Sequence, residues 1–259
     1  MSVELTLQAP VARITLNRPE KSNAFDNTVI ESLIDAFDQA GADDQARVIV
    51  LDAAGKHFSA GADLNWMRAM GQLDHEENQR DALRLAALMA RIDQAGKPVI
   101  ARVQGAAFGG ALGLICAADM AVAADNARFC LSEVKLGILP AVIAPYVVRA
   151  LGPRQARRYF MTAEVIAAPR ARELGIVHEV VAEDQLDTTV EALVDALLKG
   201  APGAQLEARD LVRRSDEQPL AEDLIGYTAE LIARLRTGDE GQEGLAAFLE
   251  KRAPAWSAS

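Results

Sequence analysis

An α/β fold with parallel strand pairing and a helical C-terminal region is predicted by three features of the sequence. Strand-like and helix-like segments alternate over about the first 200 residues, the pattern of strands joined by crossover helices. The run R-V-I-V-L-D at 47–52 is almost continuously apolar, as in a strand buried on both faces of a parallel sheet. After Glu183 only helical periodicity is left, over 184–199, 203–214, 219–236 and 239–251.

The elements follow in order. Val3–Gln8 and Val11–Leu16 flank Ala9-Pro10 and read as a short hairpin, with Val11, Ile14 and Leu16 apolar. N-R-P-E-K-S-N at 17–23 has turn chemistry. A helix is predicted over 27–40, where Val29, Ile30, Leu33, Ile34 and Phe37 recur at helical spacing. A loop follows the 47–52 strand at 55–63, and a long amphipathic helix covers 74–95, stopped by Gly96 and Pro98. A strand at 99–103 leads into a glycine-rich loop at 105–110 that opens an apolar helix reaching Ala118. Short strands are predicted at 120–123 and 128–131, a helix broken at Gly152-Pro153 over 141–159, and a last strand at 176–181. No internal repeat or low-complexity segment is visible.

Composition narrows the function classes. The chain has 259 residues, with Lys plus Arg 27 against Asp plus Glu 37, a formal net charge of −10. Phosphate affinity comes from Lys and Arg, so a nucleic-acid partner is not expected. Half of the residues are apolar, enough for a large core, yet only 5% are aromatic, so that core is mostly Ala, Val, Leu and Ile. Two cysteines, Cys116 and Cys130, give neither a disulfide framework nor a four-cysteine zinc site, and fit a reduced, cytoplasmic setting. The N-terminus carries no basic region followed by an apolar core, so no secretory signal is expected. The apolar stretch 105–118 is too short to span a bilayer, and no membrane association is expected.

Several chemistries lack their motif. No G-x-G-x-x-G follows a strand and no G-x-x-x-x-G-K-S/T exists, which removes the dinucleotide and P-loop readings. H-F-S-A-G at 57–61 has His57 where a serine-hydrolase elbow needs glycine. His57, His75 and His178 are scattered without metal-ligand spacing, so no metal is expected. Two glycine-rich turns remain, at 59–63 and 105–110, each between a strand and a helix. Such turns are either ordinary connections or sources of unpaired backbone N–H groups that hold a negative oxygen. Glu133 sits in the apolar stretch 128–139. It is either exposed and paired with Lys135 or Arg128, or buried with a raised pKa suited to general acid/base work.

The motifs that carry these residues resemble a known family. N-R-P-E-K-S-N-A (17–24), H-F-S-A-G-A-D-L (57–64), Q-G-A-A-F-G-G-A-L-G-L (104–114), A-D-M-A-V-A (118–123), S-E-V-K-L-G-I-L-P (132–140), A-R-E-L-G-I-V-H-E-V-V (171–181) and E-G-L-A-A-F-L-E-K-R (243–252) fall in the order and spacing of the crotonase, or enoyl-CoA hydratase/isomerase, superfamily. The resemblance covers essentially the whole chain. It implies a ClpP-like spiral of ββα units over residues 1–200 and a helical region over 201–259 used for oligomerisation, as a homotrimer or a hexamer built as a dimer of trimers. It implies an acyl-CoA thioester as substrate and no separate cofactor. The thioester oxygen would be held by the backbone N–H groups of Ala62 and Gly110, with Glu133 as the catalytic acid/base. Ala60, Asp63 and Leu64 would lie along the coenzyme A arm and Lys21 near its phosphates. Phe248 and Lys251 match C-terminal residues that reach the coenzyme A of a neighbouring subunit.

The chain departs from the family pattern at one catalytic position. Two-acid hydratases carry a Glu one helical turn after the second oxyanion glycine, and here that position is Gly113. Hydration through Glu133 alone, in a syn addition, is one reading, and double-bond isomerisation by a single Glu is the alternative. F-G-G-A-L-G-L and 130–152 look most like bacterial methylglutaconyl-CoA hydratase-like members, which points to a lyase acting on a 2-enoyl-CoA, branched like methylglutaconyl-CoA. Gly113 is expected to leave space where a Glu side chain would be, and Ala141-Val142-Ile143 stands where many two-acid members have a glycine-rich run; both changes are expected to reshape the acyl pocket for a branched or bulky chain. A non-catalytic or RNA-binding scaffold is disfavoured by the acidic balance and the lack of a basic, aromatic stripe.

Overall fold

The computed structural model describes residues 1–257. A six-stranded sheet organises the core, in the order β1 (Val3–Gln8), β2 (Val11–Leu16), β3 (Val48–Ala53), β4 (Val99–Val103), β6 (Met120–Ala124), β9 (Glu179–Val181). The hairpin β1–β2 is antiparallel and every later pairing in this sheet is parallel. A smaller sheet joins β5 (Ala106–Phe108), β7 (Arg128–Cys130) and β8 (Ile166–Ala167).

Sequence pattern explains the layers. All six residues of β3 are buried, because parallel strands on both sides and helices on both faces leave it no wet side. β2 instead alternates, with Ala12, Ile14 and Leu16 inward, as a strand next to the sheet edge should. On one face α1 (Asn27–Ala42) packs Val29, Ile30, Leu33 and Phe37 into the main core, and its start is fixed by Asp26, which accepts from the Val29 N–H at 3.0 Å. On the other face Leu186, Val190 and Val194 of α7 (Leu186–Leu198) pack with Val48, Val50, Ile100 and Val122. Each such fully buried aliphatic side chain contributes about 1.5–3 kcal/mol.

The chain spirals by repeating one move: main-sheet strand, short strand in the second sheet, helix. β4 leads through β5 to α4 (Gly110–Ala117), and β6 leads through β7 to α5 (Ala144–Thr162). After β3 the same path is reduced to a single bridge, Ser59 to Ala107, before α2 (Leu64–Met70). Helix α4 is buried from Ala111 to Ala117 and has no polar face, which is why its sequence is uniformly apolar. The long helix α3 (His75–Asp93) begins with a capping box between Asp74 and Glu77.

Three expectations needed correction. The glycine-rich loop at 105–110 contains strand β5, so the apolar helix begins at Gly110 rather than within the loop. The expected helix at 141–159 starts at Ala144, because Ile143 serves as its N-cap, and runs to Thr162. Its break at Gly152 is real, with φ 73° just before Pro153. The last strand is limited to Glu179–Val181.

Beyond α6 (Ala168–Glu173) and α7 lie α8 (Pro202–Glu217), α9 (Glu222–Thr237) and α10 (Asp239–Glu250). The Arg47 guanidinium ties this region to the core, donating to the carbonyls of Gly200 (2.9 Å) and Trp256 (3.1 Å). Among the described residues no helix is long and apolar enough to cross a membrane.

Candidate active site

Two loops are laced together so that almost every amide in them is used. In the loop after β3, Phe58 N–H donates to Gln104 O, Ser59 N–H to Ala106 O, Ala60 N–H to Ser22 O, and Asp63 N–H to Phe25 O. The Gly61 amide donates to Ser59 Oγ at 3.2 Å. In the loop before α4, Phe108 N–H donates to Ser59 O and Gly109 N–H to Cys130 O. The amides of Ala62 and Gly110 have no acceptor among the described residues. Each stands next to a glycine in a left-handed conformation, Gly61 at φ 95° and Gly109 at φ 55°. A Cβ on Gly61 would stand 3.2 Å from Phe108 O, so the turn that exposes the Ala62 amide is closed to other residues. The Gly110 amide is the first N–H of α4 and carries the positive end of that helix.

Both residues line one cavity of about 810 Å³, whose wall also holds Glu133, Trp66, Met67 and Met70. A side chamber of about 300 Å³ shares Ala62, Trp66, Gly110 and Glu133, and is otherwise apolar through Phe25, Ile30, Leu85 and 139–143. Glu133 opens a 3-10 turn, Glu133–Leu136, directly after β7. Its Oε1 lies 3.2 Å from where a Cβ on Gly109 would be, and its Oε2 is buried with no hydrogen-bond partner. Burial pushes the Glu133 carboxyl above the usual glutamate range, opposed only by its own backbone N–H. The alternative of an ion-paired surface Glu is set aside. Lys135 Nζ turns away to the Ala163 carbonyl at 3.1 Å, and neither Lys135 nor Arg128 forms an ion pair with Glu133 among the described residues. Two free amides and one unpaired, hard-to-ionise carboxyl in one cavity can hold an enolate oxygen and move a proton beside it.

The family model described as enoyl-CoA hydratase/isomerase matches residues 6–259. The chain belongs to the enoyl-CoA hydratase/isomerase family. The crystal structure of an enoyl-CoA hydratase from Shewanella pealeana is 47% identical, covers 99% of this chain and 96% of that one, and superimposes with a TM-score of 0.96. The 2,3-dehydroadipyl-CoA hydratase of Escherichia coli is 32% identical over 248 residues, 95% of each chain. A trans-2-decenoyl-acyl-carrier-protein isomerase of Streptococcus mutans is 32% identical over 249 residues, 94% of this chain and 93% of that one.

Within this crotonase fold the Gly113 position is not open space, and that expectation is corrected. A Cβ on Gly113 would stand 2.3 Å from Ile143 Cγ2 and 2.9 Å from Met89 Sδ. Ile143, at the start of α5, therefore fills the place that a second glutamate would take, and the site there is apolar.

The other expected site residues are scattered. Ala60 and Leu64 line the cavity, and Leu64 is 77% exposed at its mouth. Asp63 is not among the residues lining it. Its carboxylate caps α2 by accepting from the Asn65 and Trp66 amides, and it pairs with Lys21 at 3.5 Å and Arg18 at 3.8 Å. The same backbone bonds hold its pKa below the usual range. Lys21 is half-exposed beside it, outside the cavity wall. Phe248 and Lys251 belong to α10 and its C-cap, also outside the cavity, with Phe248 81% exposed. His57 and His178 are structural, their Nδ1 atoms accepting from the Ala106 and Ala121 amides, each at 3.1 Å.

Sequence reasoning missed Trp66 and Asp81. Trp66 and Met70 follow Ala62 at i+4 and i+8, a spacing that marks one face of α2. Asp81 gave no signal among the many charges of α3.

Proposed function

We propose that this enzyme hydrates a 2-enoyl-CoA branched at its β-carbon, using Glu133 as its only acid/base. One observation carries the reading: among the described residues Glu133 is the only carboxyl that shares both chambers with the unpaired amides of Ala62 and Gly110, and an apolar side chain stands where a second acid would be. The thioester oxygen accepts from Ala62 and Gly110. Glu133 takes a proton from water as the water oxygen bonds to the β-carbon. The double-bond electrons move to the thioester oxygen, and the enolate is stabilised by the two amides, each worth about 3–4 kcal/mol in comparable sites. The enolate then re-forms the carbonyl as its α-carbon takes the proton from Glu133, which returns to its starting state. The apolar side chamber next to Glu133 supports a β-branch, as in the methylglutaconyl-CoA-like expectation. Hydratase names among the relatives favour this over isomerisation.

The finer assignments belong to the same proposal. Ala60 and Leu64 flank the coenzyme A arm, and Lys21 approaches its phosphates. Residues 1–200 form the catalytic unit, and 201–259 serve assembly into a trimer or a hexamer of two trimers. The exposed Leu245, Phe248 and Leu249 of α10 support that role and leave Phe248 and Lys251 free to reach a neighbouring subunit. The buried free thiols of Cys116 and Cys130 suit the cytoplasm.

The test is a pH–rate profile for 3-methylcrotonyl-CoA with the product identified by mass. Glu133 must be ionised to take a proton from water, and burial raises its pKa above the ordinary 4.5. Activity is therefore expected to fall, as pH drops, through a limb centred above 4.5, with a product heavier by one water. A product of unchanged mass with a shifted double bond would replace hydration by isomerisation.

A further inference from the structure

The cavity wall holds a second carboxylate, Asp81 of α3, whose surroundings point to the far end of the acyl chain. Asp81 Oδ1, Trp66 Nε1 and Asn27 Oδ1 are all buried without a hydrogen-bond partner. Such atoms are rare in folded proteins, and here three come together. Burial lifts the Asp81 carboxyl above the usual aspartate range, while the Asn27 amide, Arg84 and the Trp66 N–H act in the opposite sense. Asn27 and Trp66 thus stand close to the carboxylate, and neither forms a hydrogen bond to it. Asp81 itself is only half-buried and lines the 810 Å³ cavity, and of its two oxygens only Oδ1 is sealed off.

The neighbouring polar groups are already engaged. Asn78 Nδ2 donates to the carbonyls of Met70, Leu73 and Asp74. Arg84 is paired with Glu31 at 3.3 Å. No Lys, Arg or His lines either chamber among the described residues. The cavity therefore offers the acyl chain hydrogen-bond acceptors and no cation.

We propose that Asp81, with Asn27 and Trp66 beside it, is a specificity residue that selects acyl chains ending in a hydroxyl group and rejects chains ending in a carboxylate. A hydroxyl donates to the cavity-side oxygen of Asp81. A carboxylate only accepts, and would meet Asp81 with like charge and no counter-ion. An alkyl end leaves the polar atoms unpaired. The methylglutaconyl chain ends in a carboxylate, so this inference keeps the β-branch and replaces the chain end. It rests on the reading of the cavity as an acyl-CoA site.

Saturated acyl-CoA thioesters of matched length, ending in methyl, hydroxyl or carboxylate, test this by calorimetry. They bind but cannot be hydrated, so their order does not depend on which reaction the enzyme performs. The native protein is expected to bind the hydroxyl-ended chain about tenfold more tightly than the methyl-ended one, with the carboxylate-ended chain weakest. Asp81→Leu is expected to reverse the hydroxyl and methyl order. Asp81→Asn, which keeps the shape and an acceptor, is expected to remove most of the penalty on the carboxylate and to serve if the Leu variant does not fold. Equal affinity for the three chains, or tightest binding of the carboxylate, in the native protein would overturn the proposal. Hydration of crotonyl-CoA, measured separately, reports on the reaction itself.

Discussion

Glu133→Gln is expected to lower turnover by about 10²–10⁴-fold while coenzyme A thioesters still bind. The substitution keeps the side-chain shape but removes the proton-transfer function. Asp81, the other carboxylate of the larger cavity, does not line the side chamber that Glu133 shares with both free amides. Asp63 is committed to capping α2 and to Lys21, Glu164 is paired with Arg158 at 2.6 Å, and the Gly113 position is filled by Ile143. Stability should not fall, and a higher melting temperature is expected. The native carboxyl leaves Oε2 buried and unpaired, a cost that a neutral amide lessens. Steady-state kinetics with thermal melts checks both halves. Turnover within tenfold of native would contradict the assignment of Glu133 as sole acid/base.

Gly110→Pro is expected to cost about 10²–10³-fold in turnover, the effect of removing one oxyanion donor. Proline is well suited to the first position of a helix, where the N–H has no helical partner, and Gly110 holds that position in α4. The Phe25 ring lies 3.4 Å from a Cβ at Gly110, an ordinary contact, so packing changes little. Gly110→Ala meets the same ring but keeps the amide, and is expected to retain most activity. A Pro variant that is folded and fully active would show that the Gly110 amide does not hold the thioester oxygen.

How much of this was legible in the sequence depends on how local each cause is. The buried strand β3 and helix α1 were readable because their signals, a continuous apolar run and a helical repeat, lie within their own residues. The two glycine turns were readable as places of unusual backbone, and Gly61 and Gly109 have positive φ. Strand β5 was not, because its three residues are extended only through pairing with β7 and the bridge to Ser59. The fate of the missing acid was not readable either. Ile143 lies thirty positions from Gly113 in the chain, and only folding brings its methyl group against that backbone. Asp63 shows a related limit: Asp in a site motif and Asp as a helix cap look alike until Asn65 and Trp66 are seen to donate to it. Asp81 became visible only when a cavity wall joined α1, α2 and α3 around one carboxylate.

The central claim is that one carboxyl both takes the proton from water and delivers one to carbon. Hydration of crotonyl-CoA in heavy water, with the product's relative configuration read by NMR, tests it most directly. A single carboxyl works from one face of the double bond, so deuterium at the α-carbon and the hydroxyl at the β-carbon are expected on the same face. Addition to opposite faces would require a second acid and would contradict the account.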